Sequence, residues 1–127
     1  MTVEPPLRIL IAEDVDLIGE AFEALLGTEP SFAVVGRVKR GDEVVDAVAR
    51  LSPDVALLDV DMPGATGIEA ARLVTDRFPE CKVILLTALP GTGHLHLGLA
   101  AGASGYLVKA TTGARLIEGI KTVAAGG

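Results

Sequence analysis

Five short apolar runs rich in β-branched and leucine residues recur along this 127-residue chain: LRILIA (7–12), FAVVG (32–36), DVALLD (54–59), KVILLT (82–87) and GYLV (105–108). None alternates cleanly between apolar and polar, so each is expected to be covered on both faces, as strands of a parallel sheet are. Between them lie segments with helical spacing. The first uses Val15, Ile18, Phe22 and Leu25, the second Val44, Val45, Val48 and Leu51, and the third Ile68, Ala71, Leu73 and Val74. The last uses Leu116, Ile117, Ile120 and Val123, while a fourth, around 92–101, is poorer because Gly93 and Gly98 fall inside it. Strands alternating with helices imply βαβ units, so the expected fold class is α/β, a (βα)5 doubly wound sheet of five parallel strands. Local punctuation agrees. Thr66 with Glu69 forms a capping box at the third helix, Pro63-Gly64 suits a tight turn, and Pro53 and Pro79 stop the second and third helices.

Half of the residues are hydrophobic but only 3% are aromatic, so the core must be built from Val, Leu, Ile and Ala. The length suits one domain with one core. A net charge of -6 argues against this chain gripping nucleic acid by itself, since phosphate binding needs a basic surface. No apolar run approaches bilayer length, and Glu4-Pro5-Pro6 stands where a signal peptide would be basic and then apolar. The single cysteine, Cys81, allows no internal disulfide and reads as a passive thiol. A cytoplasmic protein is expected. Ala124-Ala125-Gly126-Gly127 reads as a helix end running into a linker, giving an expected domain at 1–122 and a linker at 123–127.

Residues 57–67, LLDVDMPGATG, pose the functional question, because an apolar strand ends on a carboxylate. A lone buried charge is costly, so Asp59 needs a cationic neighbour or a shifted pKa. Other strands bring polar residues to the same edge: Glu13 and Asp14 follow the first, Thr87 closes the fourth and Lys109 closes the fifth. In open α/β sheets the carboxyl edge is where ligands bind. Three carboxylates without a His or Cys partner suit a hard cation, foremost Mg²⁺. A lysine and a hydroxyl beside a metal-bound carboxylate suit phosphoryl transfer, with the carboxylate itself as nucleophile. Taken singly, each residue has a plainer reading. Glu13-Asp14 fit a helix N-terminus, Asp59 a turn, Lys109 a solvated charge, Thr87 ordinary strand propensity and Tyr106 a core position. It is their convergence that carries the signal.

In these motifs the chain resembles the receiver domain of bacterial two-component response regulators. The acidic pair lies in IAED, the phosphoacceptor motif in LLDVDMPG, the hydroxyl in LLTA, and the aromatic and lysine in GYLVK. GYLVK, AAGASG and TVAAGG are most similar to the subgroup fused to a LuxR-type helix-turn-helix DNA-binding domain. The resemblance implies the flavodoxin-like strand order 2-1-3-4-5. It also implies phosphorylation of Asp59 by a sensor histidine kinase. Mg²⁺ would be held by Asp14 and Asp59 directly, by Glu13 through water and by the Asp61 backbone carbonyl. Lys109 and Thr87 would contact the phosphoryl group, and Thr87 and Tyr106 would form the switch. The implied output is a phosphorylation-dependent homodimer, formed through the fourth helix, fifth strand and last helix or through the first and last helices. DNA would be reached only through a further domain, to regulate transcription. Such a chain catalyses only its own phosphorylation and dephosphorylation.

Two departures from the family pattern stand out. Ala110 replaces the usual acid after the lysine, so the last helix is expected to start later or more loosely, and 89–98 is glycine-rich and uncharged where that face is commonly charged. The alternative is a haloacid-dehalogenase-like Mg-dependent phosphohydrolase using Asp59-Val60-Asp61 as its D-x-D motif, although there the acidic pair comes late and here it comes early. His94 and His96 are poorly spaced for zinc on a helix, and Gly91 and Gly93 lack a dinucleotide-binding context. Were the strand to continue past Asp59, Asp61 would point the same way and could act as a base toward the acyl phosphate.

Overall fold

The computed structural model describes residues 5–87, 99–109 and 111–126. The strands are β1 (Leu7–Ala12), β2 (Phe32–Val38), β3 (Val55–Asp59), β4 (Lys82–Thr87) and β5 (Gly105–Val108). The helices are α1 (Asp16–Leu26), α2 (Val44–Leu51, entered through a short 3-10 turn at Gly41–Glu43), α3 (Gly67–Arg77) and α4 (Gly113–Ala124). All strands pair in parallel, in the order β2-β1-β3-β4-β5. This is the expected doubly wound sheet, with the order reversing between β1 and β3. The expected fourth helical segment lies largely outside the described residues.

The strand period of two sorts the core into two layers. Leu10, Ala12, Ala56 and Leu58 face α2 and α3 through Val44, Val48, Ala70, Ala71 and Val74. Ile9, Ile11, Val55 and Leu57 face α1 and α4 through Leu26, Leu116, Ile120 and Val123. Every residue of β3 is buried, which is why its sequence shows no alternation. Val123 packs into this core and α4 runs to Ala124, so ordered structure continues past residue 122.

Two helical faces differ from expectation. Val15 is the N-cap of α1 and 46% exposed, and the stripe that packs is Phe22, Leu25 and Leu26. Leu73 is also exposed, because the face of α3 that packs is Gly67, Ala70, Ala71 and Val74, and Leu73 lies off it. The helix ends fall where the sequence placed them, although only the Thr66 half of the capping box forms. Thr66 accepts from the Glu69 N–H at 3.2 Å, Ser52 adopts a left-handed conformation before Pro53, and Phe78 ends α3 before Pro79. Ala110 is outside the described residues. After it, Thr112 caps α4 by accepting from the Arg115 N–H at 3.2 Å, so a hydroxyl supplies the start signal where an acid was missing. No helix among the described residues is long and apolar enough to cross a membrane.

Candidate functional site

The carboxyl edge collects the polar side chains because four parallel strands end there. β1 delivers Glu13 and Asp14, β3 delivers Asp59, β4 delivers Thr87 and β5 delivers Lys109. Pairing continues just beyond the strands and fixes these ends relative to one another. The Glu13 N–H donates to Val38 O at 3.0 Å, Val60 N–H to Leu86 O at 2.9 Å and Lys109 N–H to Thr87 O at 2.7 Å. Glu13, Asp59 and Thr87 are the buried polar residues at this edge, with Glu13 1% and Asp59 4% exposed.

Lys109 is the cation that Asp59 requires. Its Nζ lies 2.6 Å from Glu13 Oε1 and 3.1 Å from Asp59 Oδ2, bridging β1 and β3 from β5. The other Asp59 oxygen is also held, as Oδ1 accepts from the Asp61 N–H at 3.2 Å. Both oxygens of the carboxylate are therefore tethered by groups of the protein itself. One carboxylate oxygen from each of Glu13, Asp14 and Asp59 lies within 4.8 Å of the others, a geometry that could hold a metal ion.

The buried acids titrate in opposite senses. Burial pushes the Asp59 carboxyl up to about 7; the Lys109 hydrogen bond pulls against this, and the neighbouring Glu13 carboxylate adds to it. Burial also opposes charge on Glu13, but hydrogen bonds from Lys109 and Asp59 and the Val15 N–H outweigh it and hold its pKa below the usual range. Lys109 loses solvation as well, yet its bonds to Glu13 and Asp59 keep its pKa above the ordinary lysine value. Glu13 thus keeps its charge and Asp59 is the acid most easily neutralised, as expected for two carboxylates sharing one ammonium.

The two readings of the acidic pair, helix N-terminus and shared acidic site, separate here. α1 starts at Asp16 behind Val15, which makes no side-chain capping bond, and the acid in its first turn is Asp16. Glu13 instead turns inward to Lys109, accepting from the Val15 N–H at 3.3 Å as it does so. Asp61 departs from the strand-based expectation. β3 ends at Asp59, the chain bends at Val60 and Asp61, and the Asp61 side chain is exposed and outside the carboxylate group. Tyr106 is partly buried on β5, and its hydroxyl finds no hydrogen-bond partner among the described residues. Cys81 is a free, buried thiol whose pKa burial pushes up to about 11, which suits a passive role. His94 and His96 lie outside the described residues. One feature escaped the sequence reading. Gly67 opens α3 directly against β3, where a Cβ would overlap the Asp59 carbonyl oxygen, so the segment after Asp59 closes back on the strand only with glycine there. Its signal was the second glycine of PGATG.

A family model described as the response regulator receiver domain matches residues 9–121. The chain belongs to this family, whose members are phosphorylation-controlled signalling proteins rather than classical enzymes. Transcriptional regulatory protein DegU of Brevibacillus brevis is 38% identical over 124 residues, covering 98% of this chain and 52% of that protein. Transcriptional regulatory protein DesR of Bacillus subtilis is 38% identical over 117 residues, covering 92% of this chain and 58% of that protein. The chain spans about half the length of these curated relatives. Among solved structures, the signal receiver domain of the putative response regulator NarL from Mycobacterium tuberculosis superposes with a TM-score of 0.93. It is 28% identical, and the match covers 98% of this chain and all of that one. The phosphohydrolase alternative finds no support in these similarities.

Proposed function

We propose that Asp59 is the phosphoacceptor of this receiver, loaded by a sensor histidine kinase in the cytoplasm. The supporting observation is the placement of Asp59, a buried carboxylate with one oxygen on Lys109 and the other on a backbone N–H. An Asp59 oxygen attacks the phosphorus of a phosphohistidine. The new O–P bond forms as the P–N bond breaks, and the electron pair leaves with the imidazole, which takes up a proton. Lys109 holds positive charge against the phosphoryl oxygens, and Thr87, at the end of β4, supplies a hydroxyl to another of them.

The donor set fits Mg²⁺, since the three clustered groups offer only carboxylate oxygen. Asp14 and Asp59 would hold the ion directly, Glu13 through water, and the Asp61 backbone carbonyl would complete the protein ligands. When bound, it supplies positive charge beside the acceptor. The receiver proper, expected from the sequence to end at 122, extends through α4 to Ala124, and any output to DNA passes through a separate DNA-binding domain. Thr87 and Tyr106 form the switch. Among the described residues the Tyr106 hydroxyl has no hydrogen-bond partner, which suits a side chain that changes rotamer. Phosphorylation then favours a homodimer, through β5 and its flanking helices or through α1 and α4, by a shift between pre-existing states. The chain catalyses only its own phosphorylation and dephosphorylation. Incubation with a small-molecule phosphodonor and Mg²⁺ tests this reading. Stoichiometric, alkali-labile labelling supports it, and multiple turnover of phosphate esters contradicts it.

A further inference from the structure

The loop that follows Asp59 does not stand alone. The segment between β2 and α2 grips it at three points. Gly41 N–H donates to Pro63 O at 3.0 Å. The Gly41 backbone lies flat on the Ala65 peptide, where a Cβ would overlap the Ala65 carbonyl oxygen. The Arg40–Asp42 ion pair, at 3.0 and 3.1 Å, lies over Gly64, whose φ is +86° and whose missing Cβ would meet Asp42 Oδ1 at 2.6 Å. The gripped loop also carries the Asp61 N–H that tethers Asp59 Oδ1, and it re-enters the sheet through the Gly67 N–H, which donates to Val60 O at 2.9 Å.

We infer that Gly41, with the Arg40–Asp42 pair, is a positioning element that sets the path of loop 60–66 and through it the orientation of the Asp59 carboxylate and the Asp61 backbone. The metal and phosphoryl consequences rest on the proposed role of Asp59, but the effect on the loop does not. Any side chain at position 41 must displace backbone rather than a flexible side chain, so the displacement passes to Pro63–Ala65. Surface acids and bases rarely matter to stability at this exposure. The Arg40–Asp42 pair acts instead by occupying the space above Gly64.

The test compares wild type, Gly41→Ala and Asp42→Ala by amide hydrogen exchange without metal, by calorimetric titration with Mg²⁺ and by thermal melting. Exchange at Asp61 and Gly67 should quicken about tenfold or more in Gly41→Ala relative to Ile11 and Leu57, and Mg²⁺ affinity should fall by about 10-fold, the usual scale for groups that orient ligands. Asp42→Ala adds no atoms and removes only an exposed carboxylate. It should melt like wild type and move the same readouts in the same direction by a smaller factor, so the inference survives a Gly41→Ala chain that does not fold. Uniform quickening at Asp61, Gly67, Ile11 and Leu57 would mean plain destabilisation and overturn the inference. Unchanged loop exchange in Asp42→Ala, together with unchanged or unobtainable Gly41→Ala values, would do the same. Should Asp59 prove not to be phosphorylated, the exchange result stands apart from that failure.

Discussion

Lys109 and Glu13, at opposite ends of the sequence, form a 2.6 Å ion pair across the carboxyl edge of the sheet, and the same ammonium reaches Asp59 at 3.1 Å. One cation serves two buried acids. Removing a partner from a buried pair strands a charge, at a typical cost of about 3–5 kcal/mol. Lys109→Met should therefore destabilise the metal-free protein on that scale in urea unfolding, and Mg²⁺ should restore part of the loss. A loss no larger than an exposed ion pair is worth, roughly 0–1 kcal/mol, would show that the bridge is not formed in solution.

Asp59 makes stability depend on pH in a defined window. Its folded pKa, about 7, lies above the ordinary aspartate value of 3.8. The folded state then holds its proton more tightly than the unfolded state. The resulting stabilisation is complete below the unfolded pKa and is lost as pH rises through about 7, at up to about 1.4 kcal/mol per pH unit. Glu13 is shifted downward and acts oppositely, but in the more acidic range below 4.5. Between pH 5 and 8, set by these two shifts, metal-free wild type should lose stability while Asp59→Asn stays flatter and exceeds wild type at the upper end. Parallel curves from chemical denaturation would contradict this.

Asp14 is the exposed member of the carboxylate group and does not cap α1, whose N-cap is Val15. Asp14→Ala should lower Mg²⁺ affinity, by about tenfold or more, and abolish labelling, while the melting temperature of the metal-free protein is unchanged or raised. Calorimetric titration and a melt decide it. A clear drop in melting temperature would revive helix capping.

The bend after Asp59 reverses what strand geometry would suggest for Asp61. A general base aimed at the acyl phosphate would be worth about 10²–10⁴-fold in hydrolysis. An exposed Asp61 side chain outside the strand supplies no such assistance. The phosphorylated forms of wild type and Asp61→Asn should therefore decay with half-lives within about twofold of each other at equal Mg²⁺. A much longer-lived variant would place the side chain at the acceptor after all.

That reversal marks where sequence reading ends. Strand positions were legible because buried parallel strands need unbroken apolar runs, and the convergence of Glu13, Asp14, Asp59, Thr87 and Lys109 follows once those strands run parallel. The cationic neighbour of Asp59 was legible as a need and its identity as a candidate. That Lys109 sits closer to Glu13 than to Asp59 was not, because it depends on side-chain reach across three strands. Val15 and Leu73 fit a helical period yet lie exposed, Val15 because α1 begins only after it and Leu73 because the buried stripe of α3 runs through Gly67, Ala70, Ala71 and Val74. Gly41 carried no signal at all. Its need for hydrogen as a side chain comes from Ala65, a residue remote in sequence, and such a contact is invisible until the chain is folded.

The central claim is that Asp59 accepts the phosphoryl group, and site mapping tests it most directly. Wild type and Asp59→Asn are incubated with acetyl phosphate and Mg²⁺, and intact mass is followed by peptide mapping after borohydride trapping. One phosphoryl group per chain, trapped on the peptide containing Asp59 and absent from Asp59→Asn, is the predicted result. Labelling of Asp59→Asn at the wild-type level, or trapping at Asp14 or Asp61 in the wild type, would contradict it.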